Sequence, residues 1–400
     1  MHYDPAPAPG LLPVEPLAAL RARRSAKWQT YAPDVLPLTV AEMDFGLAPA
    51  VAAALHDAVD RSDAGYAMPV PDLAEALAEL AERRWGWRID PGAVTAVTDV
   101  GVGVVELLRV LIRPGDGVVI SPPVYPPFFD WVQEAGGRTI EVALAPDDGT
   151  WRLDLDRLEQ AFATHPAAYV LCNPHNPVGR VHAPEELAAL VRLAQIYRVT
   201  IIADEIHAPL VLPGAAFTPL LTVPGAAGVG VSLISASKAW NLAGLKCAAV
   251  VTGSPALAAA VTRMPPDARW RIGHLGVIAA VAAFGDDSGW LDDLLATLDH
   301  RRALLGRLLA RHLPVIRWHP PEATYLGWLD CRSVGPDNTA RDLLLERGRV
   351  ALEPGLRFGP PGAGHARINF GTSEDILTRA VQGMAASLSA GEDGGYADRR

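Results

Sequence analysis

Between residues 94 and 252, short apolar segments alternate with amphipathic ones, and this alternation restricts the possible folds more than any other feature of the chain. The apolar segments are short, often β-branched, and lie at residues 94–98, 117–121, 168–172, 200–203, 231–235 and 248–252. Strands of this kind are covered on both faces of a sheet. Helical periodicity occupies residues 104–112, 184–198 and 255–263. Strand and helix in series predict an α/β fold with a mostly parallel sheet and right-handed crossovers.

The pattern changes after about residue 286. One long helix is predicted at 290–313, then strands near 325–330 and 366–369, with helices near 339–347 and 375–388. We therefore expect a smaller α+β domain beside the large one. The predicted division is an N-terminal arm at 1–16, a segment at 17–45 that is arm or part of the small domain, a large domain at 46–286, a small C-terminal domain at 287–389 and a disordered tail at 390–400.

Charge and hydropathy exclude several classes of partner. Acidic residues outnumber basic ones by 45 to 35, and no basic block interrupts the chain, which argues against nucleic acid and anionic membranes as partners. The N-terminal residues lack the pattern of a signal peptide, and no apolar run reaches the roughly 18 residues of a membrane span. We expect a soluble, cytoplasmic protein.

The cysteines indicate a reducing compartment, and neither the cysteines nor the histidines indicate a metal site. Cys172, Cys247 and Cys331 are far apart, odd in number and set in apolar runs, so they are interpreted as buried free thiols of a reducing compartment. Neither they nor the 11 histidines have the spacing of metal ligands, and no metal site is predicted.

Lysine is rare in this chain, with three residues, Lys27, Lys238 and Lys246, against 32 arginines. A guanidinium stays protonated at neutral pH, whereas the amine of a lysine can lose its proton and form a Schiff base. Lys238 and Lys246 lie eight residues apart, directly after Ser235 and Ser237. A lysine that is retained in an Arg-rich chain is a candidate for chemistry that arginine cannot perform; a surface lysine kept by chance is the alternative.

Four polar segments follow or occupy predicted strands, and open α/β sheets bind ligands at strand ends. Asp204 follows the strand at 200–203, two Asn-Pro pairs follow the strand at 168–172, Ser235 and Ser237 precede Lys238, and Arg367 alternates with apolar residues. Each has a structural alternative, since Asp caps helices and Ser, Asn and Pro form turns. Together they suit a ligand with a ring nitrogen, a phosphate and a reactive carbonyl, plus a second ligand with a carboxylate. Pyridoxal phosphate with an amino acid fits this description.

These residues resemble those of the fold-type I pyridoxal-phosphate enzymes in the class I/II aminotransferase family, and more closely the MalY/PatB group of cystathionine β-lyases. The similarity runs in family order from about residue 24 to 385. The segments that carry it are Val40-Ala41-Glu42-Met43-Asp44-Phe45, Gly65-Tyr66, Pro122-Pro123-Val124-Tyr125, Asn173-Pro174-His175-Asn176-Pro177, Asp204-Glu205-Ile206-His207, Ser235 and Ser237 with Lys238 and Asn241, Thr324-Tyr325-Leu326, and Arg367 with Asn369.

The resemblance implies a role for each site residue. Lys238 would bond to the cofactor aldehyde and later move the Cα proton of the substrate, with Asp204 and Tyr125 as the other catalytic residues. Asp204 would pair with the pyridine nitrogen, Tyr125 would stack on the ring, and Asn176 and His207 would contact the ring oxygen. The phosphate would lie among Ser235, Ser237, Lys246, the backbone of Val100 and Gly101, and Tyr66 of a second subunit. Arg367 would bind the substrate carboxylate, with Asp44, Phe45 and Tyr325 as further substrate-binding residues, in a homodimer whose active site lies at the interface.

The sequence departs from the group at three places, and the reaction stays open. Glu42 stands where the group usually has Asp, and the Trp common just before that position is absent. The acid often found two residues after the histidine is absent after His207, where the chain has Ala208-Pro209. Phe217 replaces a frequent His. The resemblance favours α,β-elimination from an S-substituted cysteine. Transamination is the main alternative, a decarboxylating or oxidative reaction on a cysteine conjugate is another, and a non-catalytic regulatory protein that binds the cofactor is a third.

Overall fold

The structure is a computed structural model that describes residues 10–67, 70–147, 149–335 and 337–389. The predicted tail at 390–400, and residues 1–9 of the predicted arm, lie outside the described residues. Within the described part, the strands β1 to β15 are, in chain order, Leu36–Pro37, Val94–Val97, Gly117–Ile120, Arg138–Glu141, Ala145–Asp147, Thr150–Arg152, Ala168–Cys172, Thr200–Asp204, Gly230–Ile234, Ala248–Thr252, Arg317–Trp318, Leu326–Asp330, Val350–Ala351, Glu353–Pro354 and His365–Asn369.

The α-helices of the same described residues are numbered α1 to α14 along the chain. They are Leu17–Arg21, Ala26–Gln29, Pro49–Asp60, Pro71–Trp85, Val100–Leu111, Pro127–Glu134, Leu155–Phe162, Pro184–Tyr197, Pro255–Val261, Pro266–Trp270, His274–Gly285, Trp290–His312, Thr339–Glu346 and Glu374–Ser389. None of these described helices is both long enough and apolar enough to cross a membrane.

A seven-stranded sheet forms the centre of the molecule, in the order β2-β10-β9-β8-β7-β3-β4. Strands β4, β3, β7, β8 and β9 pair in parallel, whereas β10 is antiparallel to both β9 and β2. The predicted α/β fold with a mostly parallel sheet is confirmed. The reversed direction of β10 was not predicted, because an apolar run covered on both faces has the same pattern in either direction.

Helices cover both faces of this sheet. On one face Leu107 and Leu108 of α5 pack in a buried cluster with Ile202 of β8, and on the other Leu190 of α8 packs in a cluster with Ile201. The approach of α5 is close, because a Cβ on Gly103 would lie 2.6 Å from a methyl of Leu233. This packing aims the N-terminus of α5 and the carboxyl ends of β7, β8 and β9 at one edge of the sheet.

A second sheet has the order β11-β12-β15-β14 and is antiparallel. Strand β1 pairs in parallel with β13, which places part of the predicted 17–45 segment beside the C-terminal part of the chain. The elements therefore agree with the predicted change of pattern after residue 286, and the domain boundaries themselves stay a prediction. Cys172, Cys247 and Cys331 are all buried and unpaired, as predicted.

Candidate active site

A cavity of about 300 Å³ lies at the carboxyl ends of the central strands. Nine of the predicted site residues line it, namely Val100, Gly101, Tyr125, Asn176, Asp204, His207, Ser237, Lys238 and Lys246. Sequence positions about 150 residues apart thus meet in one place, as the resemblance implied.

Lys238 follows β9 and directs its amine to the loop after β1. Its Nζ donates to the carbonyl of Ala41 over 3.2 Å. The side chain is partly accessible from the cavity, yet the surrounding protein desolvates the amine and lowers its pKa to about 8, with a further decrease from the charge of Arg367. A substantial fraction of this amine is therefore neutral near physiological pH.

Asp204 ends β8 at the floor of the cavity and is buried. Its Oδ1 accepts a hydrogen bond from the backbone N–H of Ile206 over 3.1 Å. Burial raises the pKa of this carboxyl to about 7, although the Ile206 N–H and the charge of Lys238 oppose the rise. Within the described residues no donor is bonded to Oδ2, so this oxygen can accept a proton-bearing group of a ligand.

The adjacent carboxyl of Glu205 is bonded on all sides within the protein. Its Oε1 accepts from Asn173 Nδ2 at 3.0 Å and from the N–H of Leu220 at 2.8 Å, and its Oε2 accepts from Ser232 Oγ. Of the two neighbouring acids, Glu205 therefore ties strands and loops together, and Asp204 is the one that faces the cavity.

Arg367 is buried on β15 and contacts Asn176. Its Nη1 donates to Asn176 Oδ1 over 3.0 Å, and its Nη2 donates to the Thr39 carbonyl over 2.8 Å. The guanidinium also lies 5.0 Å from the ring centre of Phe358, and its Nε has no partner within the described residues. Burial lowers the pKa of Arg367. A buried guanidinium without an ion pair in the described structure is suited to a ligand carboxylate.

Asn176 and His207 offer polar atoms to the cavity. Asn176 Oδ1 accepts from Arg367, and within the described residues its amide Nδ2 has no bonded acceptor, so this nitrogen is available as a donor. Burial lowers the pKa of His207 to about 3, so that its ring is neutral, and its Nδ1 is buried without a partner within the described residues. An unpartnered buried nitrogen beside a cavity suggests that a ligand completes the site.

The N-terminus of α5 forms an anion-binding cradle. The first N–H groups of a helix have no partner inside the helix, and here they belong to Val100 and Gly101. A Cβ on Gly101 would lie 2.9 Å from Trp131 Nε1, so a larger residue would disturb this wall of the cavity. Ser235 Oγ donates to the carbonyl of Cys247 over 2.7 Å and lies 3.0 Å from Ser237 Oγ, which lines the cavity.

Asp99 is a member of this cradle that the sequence analysis missed. Its Oδ1 caps α5 by accepting from the N–H of Val102 over 2.8 Å, and its Oδ2 lies 3.0 Å from Lys246 Nζ. The signal was present, because Asp directly before an apolar helix is a typical N-cap. Helical periodicity predicted a start at residue 104, because glycines at 101 and 103 disfavour a helix. The resemblance placed the start of this helix near Val100 and Gly101, which agrees with α5, but Asp99 was not named as its cap.

Six predicted site residues are not among those that line the cavity, namely Asp44, Phe45, Tyr66, Ser235, Tyr325 and Arg367. Ser235 and Arg367 each contact a residue that does, Ser237 and Asn176 respectively. The carboxylate of Asp44 pairs with Lys27, Phe45 packs in the core, and the hydroxyl of Tyr325 donates to the Ala41 carbonyl over 2.7 Å. Tyr66 is 83 % exposed. A substrate contact by Asp44, Phe45 or Tyr325 therefore stays a prediction, and in this structure Asp44 and Tyr325 hold the loop after β1. Tyr125 does line the cavity, where its ring lies edge-on to Trp131.

The family model for aminotransferase class I and II matches residues 33–384 of the chain. The chain belongs to this family. Among its relatives, a Mycobacterium leprae protein provisionally named a cystathionine beta-lyase is 46 % identical over 92 % of this chain and 96 % of its own. Cystathionine beta-lyase of Corynebacterium glutamicum is 34 % identical over 93 % and 99 %, and cystathionine beta-lyase PatB of Bacillus subtilis is 32 % identical over 89 % and 93 %.

Solved structures of the same family have the same fold. A protein from Corynebacterium diphtheriae, provisionally described as a PLP-dependent beta-cystathionase, matches with a TM-score of 0.89 and 35 % identity over 94 % of this chain and 99 % of its own. Cystalysin from Treponema denticola, which contains a pyridoxal 5'-phosphate cofactor, matches with a TM-score of 0.88 and 25 % identity over 92 % and 97 %. The fold is that of the fold-type I transferases, and the predicted MalY/PatB-like relationship is confirmed.

Proposed function

We propose that this protein is a pyridoxal-phosphate-dependent carbon–sulfur β-lyase that converts cystathionine or another S-substituted L-cysteine into a thiol, pyruvate and ammonia. The observation that carries the proposal is the amine of Lys238, which lies in the cavity with its pKa lowered to about 8 by burial and by the charge of Arg367. The names of the relatives support cleavage at sulfur as the reaction.

The side chains of the cavity fit pyridoxal phosphate as the cofactor. Within the described residues Asp204 has an oxygen with no bonded donor for a protonated ring nitrogen, and His207 and Asn176 have unused polar atoms for the ring oxygen. The N–H groups of Val100 and Gly101 at the start of α5 suit a phosphate. When bound, this cofactor supplies an electron sink for the pair left on the substrate Cα after its proton departs. Tyr125 lines the cavity and would cover the ring.

Side chains of the protein bind the substrate and move its proton. Arg367 binds the α-carboxylate of the amino acid and so fixes which bond of Cα faces Lys238. The neutral amine of Lys238 takes the Cα proton. The Cβ–S bond then breaks, the electron pair leaves with sulfur, and the sulfur takes up a proton to become the thiol. Water converts the three-carbon fragment into pyruvate and ammonia, so that one water is consumed for each C–S bond broken.

Transamination is the second candidate, because the matching family model is that of the aminotransferases. Both reactions begin with removal of the Cα proton by Lys238, and they differ in where a proton returns. Elimination needs no second substrate, whereas transamination needs a keto acid as acceptor. The two reactions are therefore separated by stoichiometry.

The test is to mix the holoenzyme with L-cystathionine or S-methyl-L-cysteine in the absence of any keto acid. We expect pyruvate and free thiol in equal amounts, with both products lost in Lys238→Ala. Turnover that depends strictly on an added keto acid would identify an aminotransferase instead.

We further propose that the protein acts as a homodimer in the cytoplasm. Tyr66 is 83 % exposed and lies edge-on to Trp270, which is 52 % exposed. Two adjacent exposed rings support a subunit interface at this surface, from which Tyr66 would reach the phosphate site of the second subunit. The three unpaired buried cysteines support a reducing compartment. Elution volume in size-exclusion chromatography with light scattering tests the dimer, and Tyr66→Phe tests its contact with the cofactor.

A further inference from the structure

Two cationic side chains of the candidate active site donate to one short piece of backbone, residues 39–42 in the loop after β1. Arg367 Nη2 donates to the Thr39 carbonyl over 2.8 Å, and Lys238 Nζ donates to the Ala41 carbonyl over 3.2 Å. Under the proposed function Arg367 binds the substrate carboxylate and Lys238 takes the Cα proton. The segment between the two carbonyls therefore connects the two groups that must act on the same amino acid.

Asn369 holds this segment in place from β15. Its amide Nδ2 donates to the carbonyls of Val40 and Glu42, over 2.7 Å in each case. Its Oδ1 accepts from the N–H of Gly371 over 2.8 Å, and the residue is fully buried. Because the two bonded carbonyls lie directly before and directly after that of Ala41, the backbone is fixed on both sides of the acceptor that Lys238 uses.

The same sheet places the Ala41 carbonyl relative to Arg367. Asn369 and Arg367 lie two positions apart on β15, where alternate residues project to the same face. The Ala41 carbonyl also accepts from the hydroxyl of Tyr325 over 2.7 Å, and Tyr325 directly precedes β12, the antiparallel partner of β15. The acceptor of Lys238 is thus anchored to the strand that carries the carboxylate-binding arginine.

Asn241 attaches the same loop to the segment that carries Lys238. Its Oδ1 accepts from the N–H of Met43 and its Nδ2 donates to the Met43 carbonyl, both over 2.9 Å. Asn241 follows Lys238 by three residues and has a φ of 59°, a left-handed conformation that asparagine adopts more readily than most residues. The loop after β1 therefore joins the strand of Arg367 to the segment of Lys238, with an asparagine at each connection.

We propose that Asn369 is a positioning residue that sets the placement of Lys238 relative to Arg367 and so determines which Cα bond of the substrate meets the amine. The inference rests on the proposed roles of Lys238 and Arg367. It applies equally to elimination and to transamination, because both begin with removal of the Cα proton. A misplacement of about 1 Å between groups that act on one substrate can lower the rate about 100-fold.

The first test measures exchange of the Cα proton of L-alanine and D-alanine with deuterated water, followed by NMR. Alanine has no leaving group at Cβ, so the result does not depend on lyase activity. The wild-type holoenzyme should exchange L-alanine faster, and Asn369→Ala should lower the ratio of the L to the D rate constant about tenfold or more. An unchanged ratio would overturn the role of Asn369. Wild-type protein that exchanges neither enantiomer would also overturn it, since Lys238 would then take no Cα proton.

Thr297→Val is the matched control for lost stability. The buried Thr297 hydroxyl accepts from the N–H of Leu12 over 2.8 Å and donates to the Asp293 carbonyl over 2.7 Å, so it also bonds two backbone groups, neither of them in residues 39–42. This variant should be destabilised and keep the wild-type enantiomer ratio. An equal fall of the ratio in both variants would show that Asn369 has only a structural role. Asn369→Asp keeps the size of the side chain and the acceptor for Gly371, and it takes the place of Asn369→Ala if that variant does not fold.

The second test needs no cofactor. Reductive methylation of the apoprotein, quantified by mass spectrometry, compares Lys238 with Lys246, which pairs with Asp99 and serves as the internal reference. A carbonyl acceptor favours the charged form of an amine, so loss of its fixed position in Asn369→Ala should raise the methylation of Lys238 relative to Lys246 about threefold or more. An unchanged methylation ratio would contradict the proposal, because the Lys238 amine would then be unaffected by the loss of the Asn369 amide.

Discussion

The amine of Lys27 donates to Asp44 Oδ2 over 2.8 Å, and both side chains are only 1 % exposed. The other oxygen of Asp44 accepts from the indole N–H of Trp28 over 3.1 Å, and Lys27 also donates to the Glu42 carbonyl. Lys27 thus holds the loop after β1, in which the carbonyl of Ala41 accepts from Lys238. A buried charge pair is strong only when both partners are present.

Replacing Lys27 by Met should lower the free energy of unfolding by about 3–5 kcal/mol, because the buried Asp44 charge would lose its partner. Urea denaturation followed by circular dichroism measures this loss. Asp57→Asn is the control, since it breaks an exposed pair with Arg61 and should cost at most about 1 kcal/mol. Similar small losses in the two variants would show that the Lys27 pair contributes no more than a surface pair.

Replacing Asp204 by Asn should stabilise the apoprotein in a pH-dependent way. Burial raises the folded-state pKa of Asp204 from 3.8 to about 7. Ionisation of this carboxyl therefore lowers the free energy of unfolding as the pH rises between these two values, and the full loss of stability is present above pH 7. The free energy of unfolding should rise by about 1–3 kcal/mol at pH 8 and by less at pH 5. Chemical denaturation of both apoproteins at the two pH values measures this, and a gain independent of pH would contradict it.

The residues after the strands could be predicted from sequence because their placement is local. Asp204 ends one buried strand and Lys238 follows another, and parallel strands bring such positions to one edge. The contacts of Asn176 with Arg367, and of Lys27 with Asp44, could not be predicted in the same way. They join elements of different sheets or a helix and a loop, and no local pattern encodes which polar groups meet across the fold.

Replacing Lys246 by Ala should weaken cofactor retention about tenfold and leave the absorbance of the bound form intact. Lys246 is about half exposed and lines the cavity, where it would contribute a charge to the phosphate site, whereas Lys238 would supply the covalent link. Dialysis against graded cofactor concentrations gives the dissociation constant. Lys246→Arg is the control that retains the charge. A loss of absorbance equal to that of Lys238→Ala would contradict this division of roles.

The rate at which the apoprotein attaches the cofactor should depend on pH through Lys238. The attacking species is the neutral amine, and burial lowers its pKa to about 8, so the rate should increase up to about pH 8 and then level off. Stopped-flow absorbance from pH 6 to pH 10 measures the profile. A rate that still rises steeply above pH 9 would indicate an amine with the ordinary lysine pKa.

The most direct test of the account is to reduce the holoprotein with borohydride and map the modified peptide by mass spectrometry. We expect a single pyridoxyl adduct on Lys238. An adduct on Lys27 or Lys246, or no adduct at all, would contradict the assignment of Lys238 as the lysine that binds the cofactor.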